Sequence, residues 1–130
     1  MRANEPRNTV ATTECIIPIL RVRNLAASLK FYTDSLGFQL DWAYPNPGVA
    51  KDASVSRHGH SIMLTEGVQG QFGTWVWIGV DDVDKLYADL QAKRVKILLR
   101  PTNYSWAREM RVEDPDSHVL RFGSGSKAGE

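Results

Sequence analysis

At 130 residues with 42% hydrophobic content, the chain is long enough to bury a core without disulfide or metal staples and short enough for one compact domain. Its 16 basic residues against 15 acidic ones leave a formal charge of +1, so there is no global field to draw in nucleic acid or an acidic membrane surface. The single Cys15 excludes an internal disulfide, and no apolar run approaches the ~18–20 residues that span a bilayer.

Met1 to about Thr13 is polar and without periodicity, which predicts a loose tail over 1–13. No secretion-signal pattern opens it, and a cytoplasmic location is expected. The ordered domain is expected over 14–123, with a first module at about 15–66, a second at about 74–122, and a Gly- and Ser-rich tail over 124–130.

Ile16 to Val22 reads as a strand that ends at Asn24, a favoured helix N-cap. Leu25, Leu29, Tyr32 and Leu36 recur at the spacing of one helical face, and Gly37 supplies the stop. Strands follow over Phe38–Tyr44, Ala53–Arg57 and Ser61–Thr65, with Pro45-Asn46-Pro47-Gly48 and His58-Gly59 as turns. The unit is βαβββ.

The same order then returns: a strand over Thr74–Val80, a helix capped by Asp81 or Asp82 with Val83, Leu86, Tyr87 and Leu90 on its apolar face, and strands over Val95–Leu99, Ala107–Glu113 and Val119–Phe122. Asp114-Pro115-Asp116-Ser117 is the last turn. A shift of about 58 positions carries Val22, Asn24 and Leu25 onto Val80, Asp82 and Val83, so the unit is present twice. The architecture expected is α+β, built from two tandem βαβββ modules.

Alternation along Trp75 to Val80 puts Trp75, Trp77 and Gly79 on one face and Val76, Ile78 and Val80 on the other. Both faces are apolar, as in a sheet that packs a helix on one side and lines a cavity on the other. Ile17, Ile19 and Arg21 are the counterparts in the first module. Core packing accounts for any one of the four tryptophans, but Trp75 and Trp77 side by side on a cavity face form a stacking surface. Tyr104 and Trp106 fall in an irregular stretch fit for a pocket rim, and Phe72 could close it. Arg121, if turned inward, needs a carboxylate, and Glu109 on the adjacent strand is its expected partner.

VRNLAASLKFYTDSLGF, then VDDVDKLYADL, then EDPDSHVLRF is an order that resembles the vicinal oxygen chelate superfamily, in its glyoxalase and bleomycin-resistance group. The resemblance runs from about Ile16 to Phe122. It implies paired modules curling into a curved mixed sheet around a concave cleft, completed as a homodimer. Metal-dependent members place His, Gln or Glu ligands at four positions that map onto Ile17, Met63, Trp75 and Arg121. Those residues are a poor set for a divalent ion, so neither metal nor other cofactor is expected.

The resemblance therefore points to the branch that holds a drug without chemistry: a metal-independent protein sequestering an aromatic or cationic, bleomycin-like compound. Its expected ligand-binding residues are Trp75, Trp77, Tyr104, Trp106, Glu109 and Arg121, with no catalytic residue and no metal ligand. No nucleophile elbow or phosphate loop appears. The alternative is a metal-dependent glyoxalase-like lyase, isomerase or dioxygenase-related enzyme with a displaced site drawn from His58, His60 and Glu66; for the two histidines a solvated hairpin tip is the favoured reading.

Overall fold

The computed structural model describes residues 11–45 and 50–126. Most of the tail expected over 1–13, the turn residues Asn46 to Gly48 and the end of the tail from 127 lie outside the described residues. The elements are β1 (Ile19–Arg21), α1 (Leu25–Lys30), a π-helical turn (Phe31–Ser35), β2 (Gln39–Tyr44), β3 (Asp52–Arg57) and β4 (His60–Thr65). Then come β5 (Trp75–Gly79), α2 (Val83–Ala92), β6 (Lys96–Asn103), β7 (Arg108–Glu113) and β8 (Val119–Ser124).

Two four-stranded mixed sheets result, ordered β1-β4-β3-β2 and β5-β8-β7-β6. In each, the first strand runs parallel to the last and the others pair antiparallel. Ile19 lies opposite Met63 in the first sheet and Trp77 opposite Arg121 in the second. The internal shift seen in the sequence is thus also the shift in strand register.

Three elements differ from expectation. The first strand begins at Ile19 instead of Ile16, because β1 is a sheet edge and Pro18 has no N–H; only its carbonyl joins the ladder, accepting from Met63 N–H at 3.0 Å. The first helix widens into a π turn after Lys30, where Leu36 N–H reaches back to Phe31 C=O at 3.1 Å. Gly37, at φ +75°, then closes the end as a C′ residue. The sixth strand runs to Asn103 through Pro101, which β6 tolerates as an edge strand. His58 and Gly59 form the expected hairpin turn, both at positive φ (52° and 84°).

Both helices start as read, with Asn24 Oδ1 accepting from Ala27 N–H and Asp82 Oδ1 from Lys85 N–H. Leu20, Val22, Ile62 and Leu64 join Met110, Val112, Leu120 and Phe122 in one apolar core under Leu25, Tyr32, Val83, Leu86 and Leu90. Even-numbered residues of β5 face that core and odd-numbered ones face away from it, as alternation requires.

The β7–β8 turn grips the first module. Asp114 Oδ2 accepts from the Tyr32 hydroxyl at 2.7 Å, and its Oδ1 accepts from the N–H groups of Asp116 and His118, each at 2.8 Å. Asp116 takes the Arg23 N–H at 2.9 Å and the Arg23 guanidinium at 3.2 Å. His118 Nδ1 accepts from Thr74 N–H, so Nε2 carries the proton and donates to the Arg21 carbonyl. Among the described residues no buried side-chain N or O lacks a hydrogen bond.

Candidate ligand-binding site

On the helix-free face of the second sheet, register sets three rows across β7, β8 and β5: Glu113, Val119 and Trp75; then Arg111, Arg121 and Trp77; then Glu109, Gly123 and Gly79. Two arginines directly opposite would repel. Glu109 offsets this. Arg121 Nε and Nη2 donate to its Oε2 and Oε1 at 2.9 and 2.8 Å, and Arg111 Nε donates to Oε2 at 2.6 Å. Glu109 is fully buried, whereas the Arg111 and Arg121 side chains are 31% and 32% exposed.

The indoles complete the array. The Arg111 guanidinium lies 5.5 Å from the Trp75 ring and that of Arg121 lies 5.1 Å from the Trp77 ring. Trp77 rests where β8 has Gly123: a Cβ there would overlap its Cη2 and Cζ2. One indole face is against the sheet and the residue remains 47% exposed; Trp75 is 56% exposed. Large aromatics this open on a packed sheet are unusual outside binding surfaces.

Of the residues expected from the sequence, Trp75, Trp77, Glu109 and Arg121 come together here. Tyr104 and Trp106, in the β6–β7 loop, stack on each other with centroids 4.7 Å apart and planes 11° apart. The Glu109 hydrogen bonds hold the Arg121 guanidinium above its ordinary value. Phe72 does not close the site: its ring lies under the guanidiniums of Arg21 and Arg23, at 4.7 and 3.9 Å. Arg111 and Gly123 are not among the site residues expected from the sequence, although Ala107, Glu109 and Arg111 alternate onto one face.

The face is open, not an enclosed pocket. A cleft of about 1090 Å³ instead runs between the modules, bounded by residues including Cys15, Ile17, Phe38, His60, Ile62 and Ile78, and of the six expected residues only Trp77 reaches it. On the first module's helix-free face Ser54 and Met63 stand opposite each other where the second module has Arg111 and Arg121, and Ser54 and Ser56 donate to Asp41 beside Trp42.

The displaced metal site is not assembled. Glu66 follows the far end of β4 from His60 and is committed to Leu25 N–H at 2.7 Å and Lys51 Nζ at 2.9 Å, which hold its carboxyl below the usual range. No three His, Cys, Asp or Glu side chains converge among the described residues. Ile17, Met63, Trp75 and Arg121 likewise form no donor set for a divalent ion, since an alkyl chain, an indole and a cation supply none.

Hydrogen bonds from Arg121, then from Arg111, outweigh burial and hold the Glu109 carboxyl down at about 2. A depressed carboxylate contributes stability that is fully present above its ordinary value near 4.5 and is lost as pH falls toward about 2. Urea midpoints measured from pH 6 to pH 2 are therefore expected to fall more steeply for the wild type than for Glu109→Gln below pH 4.5. Parallel curves would show that the cluster is not linked to folding.

A family model described as Glyoxalase/Bleomycin resistance protein/Dioxygenase superfamily matches residues 10–122. An uncharacterized Bacillus subtilis (strain 168) protein, YraH, is 31% identical, over 79% of this chain and 91% of its own. Among solved structures, TnmS3, an antibiotic binding protein from Streptomyces sp. CB03234, superposes with a TM-score of 0.79 at 24% identity, over 91% of this chain and 100% of that one. The bleomycin-binding protein of Streptomyces verticillus, complexed with copper(II)-bleomycin, gives 0.70 at 24% identity, over 90% and 100%.

Proposed function

The chain belongs to the glyoxalase/bleomycin resistance protein/dioxygenase superfamily, and from that premise we propose that it is a metal-independent binding protein that sequesters an aromatic, antibiotic-like compound. The observation that carries this reading is the exposed indole pair, Trp75 and Trp77, set beside a guanidinium and carboxylate cluster on a face with no helix to cover it. Stacking on the indoles supplies affinity, and the polar groups fix orientation. Tyr104 and Trp106 form the rim, and Glu109 acts by holding Arg111 and Arg121 in place. A cationic group, as in bleomycin-like drugs, would suit the Asp41 side of the first module.

The working unit in this reading is a cytoplasmic homodimer. Ile19, Trp42 and Tyr44 in the first module and Trp75 and Trp77 in the second are all more than a third exposed, an apolar surface suited to enclosure by a second copy around the ligand. Light scattering is expected to give twice the chain mass.

Calorimetry with metal-free bleomycin and a panel of planar aromatic compounds tests the function. Trp75→Ala and Trp77→Ala are each expected to weaken binding of the best ligand about 10-fold or more. Affinity unchanged by Trp75→Ala, Trp77→Ala and Arg121→Ala combined would rule this face out.

A further inference from the structure

Two guanidiniums share one carboxylate on the binding face, and the sharing is incomplete. Glu109 uses both oxygens, accepting from Arg111 Nε and from Arg121 Nε and Nη2. Arg111 Nη1 and Nη2 and Arg121 Nη1 keep their donors, on side chains about a third exposed. Glu113, in the next row, is already paired with Lys96 at 3.1 Å. The row that ends at Trp77 thus holds one uncompensated positive charge and several unused planar donors.

A ligand cation would meet that charge with repulsion and find the carboxylate beside it, Glu109, buried and already occupied by Arg111 and Arg121. An acidic group would find donors arranged as a fork, the geometry that suits carboxylate and sulfonate oxygens. The indoles of Trp75 and Trp77 lie within 5.5 Å of the same guanidiniums, so an acid group on the donors puts an attached ring system beside them.

We infer that this face selects a planar aromatic compound bearing an acidic group, a carboxylate, sulfonate or ionised phenol, and that Arg111 is its main specificity residue. The inference rests on the ligand-binding reading above and names the class of ligand for the second module.

Three probes of one ring system test it: anthracene-2-carboxylate, the neutral anthracene-2-carboxamide and the cationic 2-(aminomethyl)anthracene, titrated into the full chain at pH 7. The carboxylate is expected to bind about 10-fold tighter than the amide and tighter still than the amine, with the gap narrowing as salt rises from about 0.05 to 0.5 M. Arg111→Gln should remove most of that preference, the carboxylate losing far more affinity than the amide, and Arg111→Lys should restore part of it. Unfolding midpoints confirm that both variants are folded. Equal or tighter binding of the amine, still abolished by Trp77→Ala, would overturn the inference and leave the indole face as a ligand site. Failure of all three probes to bind would overturn both.

Discussion

Asp114→Ala is expected to lower the unfolding free energy by about 3–5 kcal/mol, a severe loss for a chain of this size. The Asp114 side chain is buried and ends three hydrogen bonds, from the Tyr32 hydroxyl and from two N–H groups of its own turn. Truncation strands all three donors, and a buried unsatisfied donor costs about 1–3 kcal/mol. Water entering the space relieves part of that. Tyr32→Phe removes one donor and leaves the turn intact, so its cost should be nearer 1–2 kcal/mol. Urea unfolding followed by tryptophan fluorescence measures both. A loss under 1 kcal/mol for Asp114→Ala would mean that the turn does not join the modules as described.

The pH dependence of this contact runs opposite to that of Glu109. Burial raises the Asp114 carboxyl above its ordinary value, against the lowering effect of the Tyr32 hydrogen bond. A raised carboxyl contributes most below its unfolded value and loses that contribution as pH rises through its folded one. Lowering the pH therefore removes stability from the arginine cluster on the open face while it favours the folded form at Asp114.

Gly123→Ala is expected to reduce ligand affinity about 10- to 100-fold with a small change in stability. The added Cβ would occupy the position of the distal Trp77 ring atoms, and a side-chain end yields more readily than a strand backbone. The indole must swing off β8, and its place beside Arg121 goes with it. Gly79→Ala is the control: its Cβ would lie 3.9 Å from Trp77 Nε1, an ordinary contact. Calorimetry on both variants, with the best ligand of the wild type, should separate them. Equal affinities would show that the resting position of Trp77 does not matter to recognition.

Much of this was legible in the chain because local rules and tertiary demands agree. Asn24 and Asp82 are caps in sequence and in structure, and two-residue alternation put Trp75 and Trp77 on the face away from α2. The pairing of Arg121 with Glu109 followed from the cost of a bare buried charge. What could not be read depends on side-chain direction and on the far reach of strands. The π turn after Lys30 and the extension of β6 to Asn103 are set by packing and edge pairing. The role of Gly123 is visible only when the indole from the neighbouring strand is seen lying over it.

The Asp114 junction and the indole row share no residues and sit on separate surfaces. A lineage can therefore exchange rings on the open side without loosening the chassis. Guest preference in such a scaffold drifts faster than its architecture, and two descendants with superposable backbones can come to hold unrelated compounds.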